Sequence, residues 1–256
     1  MENKKIVIGN QKMYMSVNEV GEFLKQITGK ITTSSVVICP TSLYIPYFLK
    51  HRYSVGIQNI CEYENGQYTG EISATQANEM GIKYALVGHS ERRIYYNEDN
   101  DLINEKIKHI LKAGITPVLC VGETSEEKNL FKTKKVLKSD LISCLNKIEP
   151  DDIEKIIIAY EPIWAIGTKR IPTMAEIKSN VKYIKDLIKQ IYKKEVRVIY
   201  GGSVNPNNIE KLNKIDNVDG FLVGGSSTKA DEFLKIIEVV VNQWLLFTFF
   251  DKIRQN

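Results

Sequence analysis

Glu161 closes an apolar run, Ile156-Ile157-Ile158-Ala159, and Pro162, Trp164 and Gly167 follow it closely. A carboxylate at the end of a buried strand, beside the start of a hinged loop, is placed as a general base under a lid would be. Read alone, the segment favours a strand end capped by a turn, with no chemistry. His89 stands at the end of a second apolar run, Ala85-Leu86-Val87-Gly88, and Ser90-x-x-Arg93 after it reads as a helix N-cap. A histidine at a helix N-terminus sits in positive potential, a setting for a neutral ring that hands a hydrogen bond to a carbonyl oxygen and takes a proton back. Lys12 lies two residues past Asn10 at the end of a third run, where an ammonium would stabilise a negative oxygen or a phosphate. Gly201-Gly202-Ser203 and Gly224-Gly225-Ser226 each follow a run as well. Glycine pairs of this kind let backbone N–H groups approach an anion closely.

These groups need elements that deliver them to one place. Strands are expected at Lys5–Gly9, Val36–Cys39, Val55–Gln58, Tyr84–Val87, Thr116–Val121, Ile156–Tyr160, Val196–Tyr200 and Gly220–Val223. They are continuously apolar, the pattern of parallel strands buried on both faces. Helical stripes lie between them. Ile103, Ile107, Ile110 and Leu111 form one, stopped by Gly114, and Ile177, Val181, Ile184, Ile188 and Ile191 form another, opened by a Thr173-x-x-Glu176 capping box. Ser73-x-x-Gln76 opens a third helix. Val136, Leu137, Leu141, Ile142 and Leu145 mark a fourth, while Pro46 weakens a helix at Leu43–Leu49. Alternation without a linker gives an α/β fold, a closed (β/α)8 barrel, with an open doubly wound sheet as the alternative. In a barrel every candidate group falls on the rim formed by the strands' carboxyl ends.

The composition limits the function classes. The 256 residues carry a net charge of +4 with both signs interleaved, so no basic tract marks a nucleic-acid surface. Lysine runs such as Lys132–Lys135 read as solvated helix faces, and His51 and His109 as surface groups on helices. Cys39, Cys61, Cys120 and Cys144 show no metal-ligand spacing, and Cys39 and Cys120 sit in apolar runs. That suits a reducing cytoplasm without disulfides. Residues 1–241 are expected to form one domain and 242–256 an apolar extension of unassigned role. The extension is interrupted by Asn242 and Gln243 and is shorter than the ~20 apolar residues that span a bilayer. Membrane attachment through it would show in liposome flotation, and partitioning unchanged by deleting 242–256 would end that reading.

The motifs Gly9-Asn10-x-Lys12-Met13, Gly66-x-Tyr68-Thr69-Gly70-Glu71-Ile72-Ser73, Val87-Gly88-His89-Ser90-Glu91-Arg92-Arg93, Ala159–Thr168, Tyr200-Gly201-Gly202-Ser203-Val204 and Gly220–Gly225 run in order over nearly the whole chain. Together they resemble the triosephosphate isomerase family. The resemblance implies interconversion of dihydroxyacetone phosphate and glyceraldehyde 3-phosphate, an activity of glycolysis and gluconeogenesis, with no metal or organic cofactor. It implies that Glu161 is the base, that His89 polarises the substrate oxygens and that Lys12 stabilises negative charge, with Asn10 placing the substrate. Gly167, Ser203, Gly224 and Gly225 would hold the phosphate, and Glu91 would stand behind them or on the dimer side. It also implies a homodimer in which the Thr69 loop reaches the neighbour's Asn10 and Lys12.

Two departures stand out. Gln11 occupies a position where the family usually has Trp, and is expected to point away from the substrate. The lid reads Gly167-Thr168-Lys169-Arg170-Ile171-Pro172, with Lys169 where a glycine is usual and a stiff Pro172 at the second hinge. Altered lid kinetics with activity retained are expected, to be checked against Lys169→Gly. The changed lid keeps open a paralogue acting on a four-carbon phosphorylated ketose. A phosphate-binding scaffold without catalysis is a third reading, opposed by the intact Lys12, His89 and Glu161 set.

Overall fold

A computed structural model describes residues 4–166 and 170–241. Along the chain come β1 (Ile6–Asn10), α1 (Val17–Ile27), β2 (Val36–Cys39), α2 (Ile45–Phe48), β3 (Ser54–Ile57), α3 (Ala74–Glu79) and β4 (Tyr84–Val87). Then follow α4 (Ser90–Tyr96), α5 (Asn100–Lys112), β5 (Thr116–Val121), α6 (Ser125–Asn129), α7 (Thr133–Cys144), α8 (Pro150–Ile153) and β6 (Ile157–Tyr160). The chain ends with α9 (Met174–Tyr192), β7 (Arg197–Tyr200), α10 (Ile209–Leu212), β8 (Gly220–Val223) and α11 (Ala230–Val241). The eight strands are parallel and close in chain order, β1 pairing with both β2 and β8. The open-sheet alternative is thereby excluded.

The strands are apolar throughout because each lies between two cores. Ile6, Ile8, Val37, Leu86, Val118, Ile157, Ile199 and Leu222 fill the barrel interior. Their alternates, such as Val7, Val36, Ile38, Val87, Leu119, Ile158 and Val198, pack outwards against the helices. The period-two alternation of a strand is thus present, but both of its faces are dry. Each fully buried aliphatic chain contributes about 1.5–3 kcal/mol relative to exposure.

The capping boxes at Ser73 and Thr173 form with both hydrogen bonds, and Gly114 follows α5 at φ +74°. Several expectations are corrected. Ile191 is 44 % exposed, because the stripe drifts around the last turn of α9 and Leu187 is buried instead. Ile142 is likewise exposed on α7. The weak helix expected at Leu43–Leu49 does form in part, as α2, with Pro46 in its first turn where no intrahelical N–H is needed. His51 lies outside any helix, half-buried and stacked on Tyr53, and His109 is half-buried on α5. The helix after β4 is capped by His89 itself, not by Ser90. All four cysteines are buried free thiols.

Candidate active site

β1 ends on Asn10, which is 5 % exposed, and its side-chain oxygen accepts from the Lys12 backbone N–H at 3.1 Å. Lys12 has φ +52°, a left-handed conformation that costs a non-glycine residue free energy. Its carbonyl is held in that turn by the Thr41 hydroxyl and the Gln58 amide, each donating at 2.9 Å. The ammonium is thereby turned into the cleft, where it pairs with Glu91 Oε1 at 2.6 Å.

His89 is 6 % exposed. Its Nδ1 accepts a hydrogen bond from the Glu91 backbone N–H at 3.2 Å. That lone pair is occupied, so the proton of the neutral ring belongs on Nε2. The 3.7 Å approach of Nδ1 to Glu91 Oε2 is therefore no ion pair. Nε2 stands 3.4 Å from Glu161 Oε1. Glu161 is 2 % exposed, and its buried Oε2 meets no donor among the described residues. Burial, then the neighbouring charge of Glu161, push the Cys120 thiol well above its usual range, so it stays protonated at the base of the site.

The glycines divide by what they make room for. A Cβ on Gly201 would lie 2.8 Å from Glu161 Cγ, and one on Gly202 would lie 2.1 Å from the Tyr200 hydroxyl oxygen. The first pair thus serves the side chains around the base. Gly224 and Gly225 meet little or nothing in the same test, leaving their backbone open towards the cleft. Gly201→Ala will push the Glu161 carboxylate off its position and lower kcat about 100-fold. The inhibition constant of inorganic phosphate should stay unchanged in the same variant, and a shift in that constant equal to the loss in kcat would refute the division.

Asn10, Lys12, His89, Glu161, Ser203, Gly224 and Gly225 line one cleft of about 250 Å³. Glu91 acts on it through Lys12. Thr69 is exposed on the loop after β3, away from the cleft lining. Gly167 and Lys169 lie outside the described residues. Gln11 is buried beneath the site and donates to the Ser227 carbonyl, which agrees with its pointing away from substrate.

A buried carboxylate, an imidazole with Nε2 free to donate and an ammonium around one cleft can together move a proton next to a carbonyl. The family model described as triosephosphate isomerase matches residues 5–240. The chain belongs to the triosephosphate isomerase family. Relatives so named include those of Alkaliphilus metalliredigens (strain QYMF), 40 % identical, and Clostridium botulinum (strain Langeland / NCTC 10281 / Type F), 38 % identical. In both cases the match covers 91 % of this chain and 98 % of the relative. That of Thermodesulfovibrio yellowstonii is 39 % identical over 92 % of this chain and 99 % of its own. As a triosephosphate isomerase the chain interconverts dihydroxyacetone phosphate and glyceraldehyde 3-phosphate, and the four-carbon alternative gains no support.

Some of this site escaped the sequence. Glu123, just past β5, is 1 % exposed. It accepts from Trp164 Nε1 at 2.8 Å and from the Tyr160 hydroxyl at 3.2 Å, tying the end of β5 to β6 and the turn that follows it. Lys128 lies 3.4 Å over the Trp164 ring and pairs with Glu176 on α9 at 3.0 Å. The signal was present, since Glu123 closes an apolar run just as Glu161 does. Burial raises the Glu123 carboxyl above its usual range, opposed by the hydrogen bond from Trp164. A carboxyl raised by folding contributes stability below its unfolded value of 4.5 and loses it as pH rises through the folded value. The stability of Glu123→Gln relative to wild type should therefore climb with pH from about 4.5 upwards. Thermal melts of both proteins across that range test this, and a flat or falling difference would contradict it.

Proposed function

We propose that Glu161, His89 and Lys12 divide the isomerisation among them. Glu161 takes a proton from C1 of dihydroxyacetone phosphate. The carbonyl oxygen meanwhile accepts from His89 Nε2–H and faces the Lys12 ammonium, so charge that develops there has fixed partners. The proton goes back to C2, while His89 moves a proton between the two oxygens, giving glyceraldehyde 3-phosphate. Asn10 places the substrate, and Ser203, Gly224 and Gly225 cradle the phosphate, with Gly167 proposed alongside them. The carrying observation is the 3.4 Å approach of His89 Nε2 to Glu161 Oε1 with Nδ1 already engaged. Incubating dihydroxyacetone phosphate with the enzyme in deuterium oxide tests the reading. Deuterium should appear at C2 of glyceraldehyde 3-phosphate, and complete retention of the original hydrogen would overturn it.

A homodimer is part of the same proposal. Met13, Leu43, Ile94 and Tyr95 are 89 %, 79 %, 54 % and 73 % exposed. They follow β1, β2 and β4, so they crowd one sector of the rim next to the exposed Thr69 loop. Large apolar groups so clustered fit a self-complementary contact. Sedimentation should give twice the chain mass, and Leu43→Glu with Ile94→Glu should give monomers. A monomeric wild type would refute the dimer. The buried free thiols suit a reducing cytoplasm, and no helix among the described residues is long and apolar enough to cross a membrane. Residues 242–256, proposed as an apolar C-terminal extension, lie outside the described residues.

A further inference from the structure

We propose that Arg93 is a positioning residue that holds His89 at its working distance from Glu161. The inference rests on the reading of His89 as the group that polarises the substrate oxygen. The β4–β5 ladder ends at Val87 and Leu119. One residue further on, the Arg93 guanidinium spans both strands. Its Nε donates to the Gly88 carbonyl at 2.8 Å and its Nη2 to the Cys120 carbonyl at 3.3 Å. The Gly88 carbonyl belongs to the peptide that carries His89 into its N-cap position. Fixing that peptide plane fixes where the imidazole begins. The Cys120 carbonyl belongs to the strand wall beside Glu161, since Cys120 pairs with Ala159 on β6. One planar side chain therefore sets the spacing of the two strand ends behind the acid–base pair, a task that suits a rigid fork of donors.

The surroundings leave the fork little freedom. Its Nη1 donates to Asn100 Oδ1 at 2.7 Å, and the Asn100 amide donates to Asp140 Oδ1 at 3.0 Å. Gly88 is left-handed at φ +67°, and a Cβ there would lie 3.1 Å from Arg93 Nη2 and 2.9 Å from Ile103 Cδ1. The turn and the guanidinium are thus packed against each other. None of these bonds reaches the phosphate cradle. The expected effect of loosening them is on chemistry and not on substrate capture, since a misplacement of about 1 Å costs up to about 100-fold in rate.

The test compares Arg93→Lys, Arg93→Met, His89→Gln and the Arg93→Lys/His89→Gln double variant. Arg93→Lys keeps the charge and loses the two-carbonyl fork. Its kcat should fall about 10–100-fold, with KM and the inhibition constant of inorganic phosphate within about threefold of wild type. Arg93→Met should lose at least as much, and where it fails to fold the lysine variant decides. Because Arg93 acts through His89, the double variant should be little slower than His89→Gln alone. Additive losses, or a phosphate inhibition constant that weakens in step with kcat, would overturn the positioning role. So would a lysine variant at wild-type rate. Wild-type turnover in His89→Gln would instead overturn the reading of His89, and the positioning role with it.

Discussion

Glu161→Gln will turn over dihydroxyacetone phosphate about 10³–10⁴-fold more slowly than wild type, with an unchanged fold. The substitution keeps the size of the side chain and one oxygen acceptor, and removes only the ability to take a proton from carbon. Nothing around Glu161 replaces it. Its Oε2 meets no donor among the described residues, and the neighbouring Cys120 thiol is held protonated. Glu161→Asp tests geometry apart from basicity, because it keeps the carboxylate and draws it back by one methylene. It should fall between wild type and the glutamine variant. Coupled assays with glyceraldehyde 3-phosphate, together with circular dichroism melts, measure both. A glutamine variant within tenfold of wild type would return the scaffold reading to the front.

Lys12→Met will cost about 10²–10³-fold in kcat/KM, the scale of one lost donor to a developing oxyanion. A second loss is built into the pair. With the ammonium gone, the Glu91 carboxylate is left unpaired beside a cleft that must admit a phosphate. Lys12→Met/Glu91→Gln should therefore recover part of the KM and little of the kcat. Steady-state kinetics on the two variants separate the terms, and a double variant no better than the single would show that Glu91 exerts no repulsion. Neither change should alter melting by much, because the pair is partly exposed.

The eight strands were legible because both of their faces are dry, which writes an apolar run into the chain wherever a strand passes. β2, β4, β5 and β8 coincide with the expected ranges residue for residue. Helix ends were legible where a capping box or a terminal glycine marks them, as at Thr173 and Gly114. The meeting of Glu161, His89 and Lys12 in one cleft was legible because the barrel gathers strand ends on one rim. What spacing does not carry is contact between distant segments. The Trp164–Glu123 bond joins residues 41 apart, and Arg93 meets Cys120 across 27. The left-handed Lys12 was hidden for another reason. Its conformation is enforced by Thr41 and Gln58 from other strand ends, not chosen by its own local sequence.

The Lys12–Glu91 pair has a consequence for how the enzyme rests between turnovers. The cleft carries its own counter-ion. An arriving phosphate dianion expels no cation drawn from solution, and the ammonium swaps one oxygen partner for another. Salt in the medium therefore competes with the substrate mainly on its approach, because the ammonium is already aimed into the cleft.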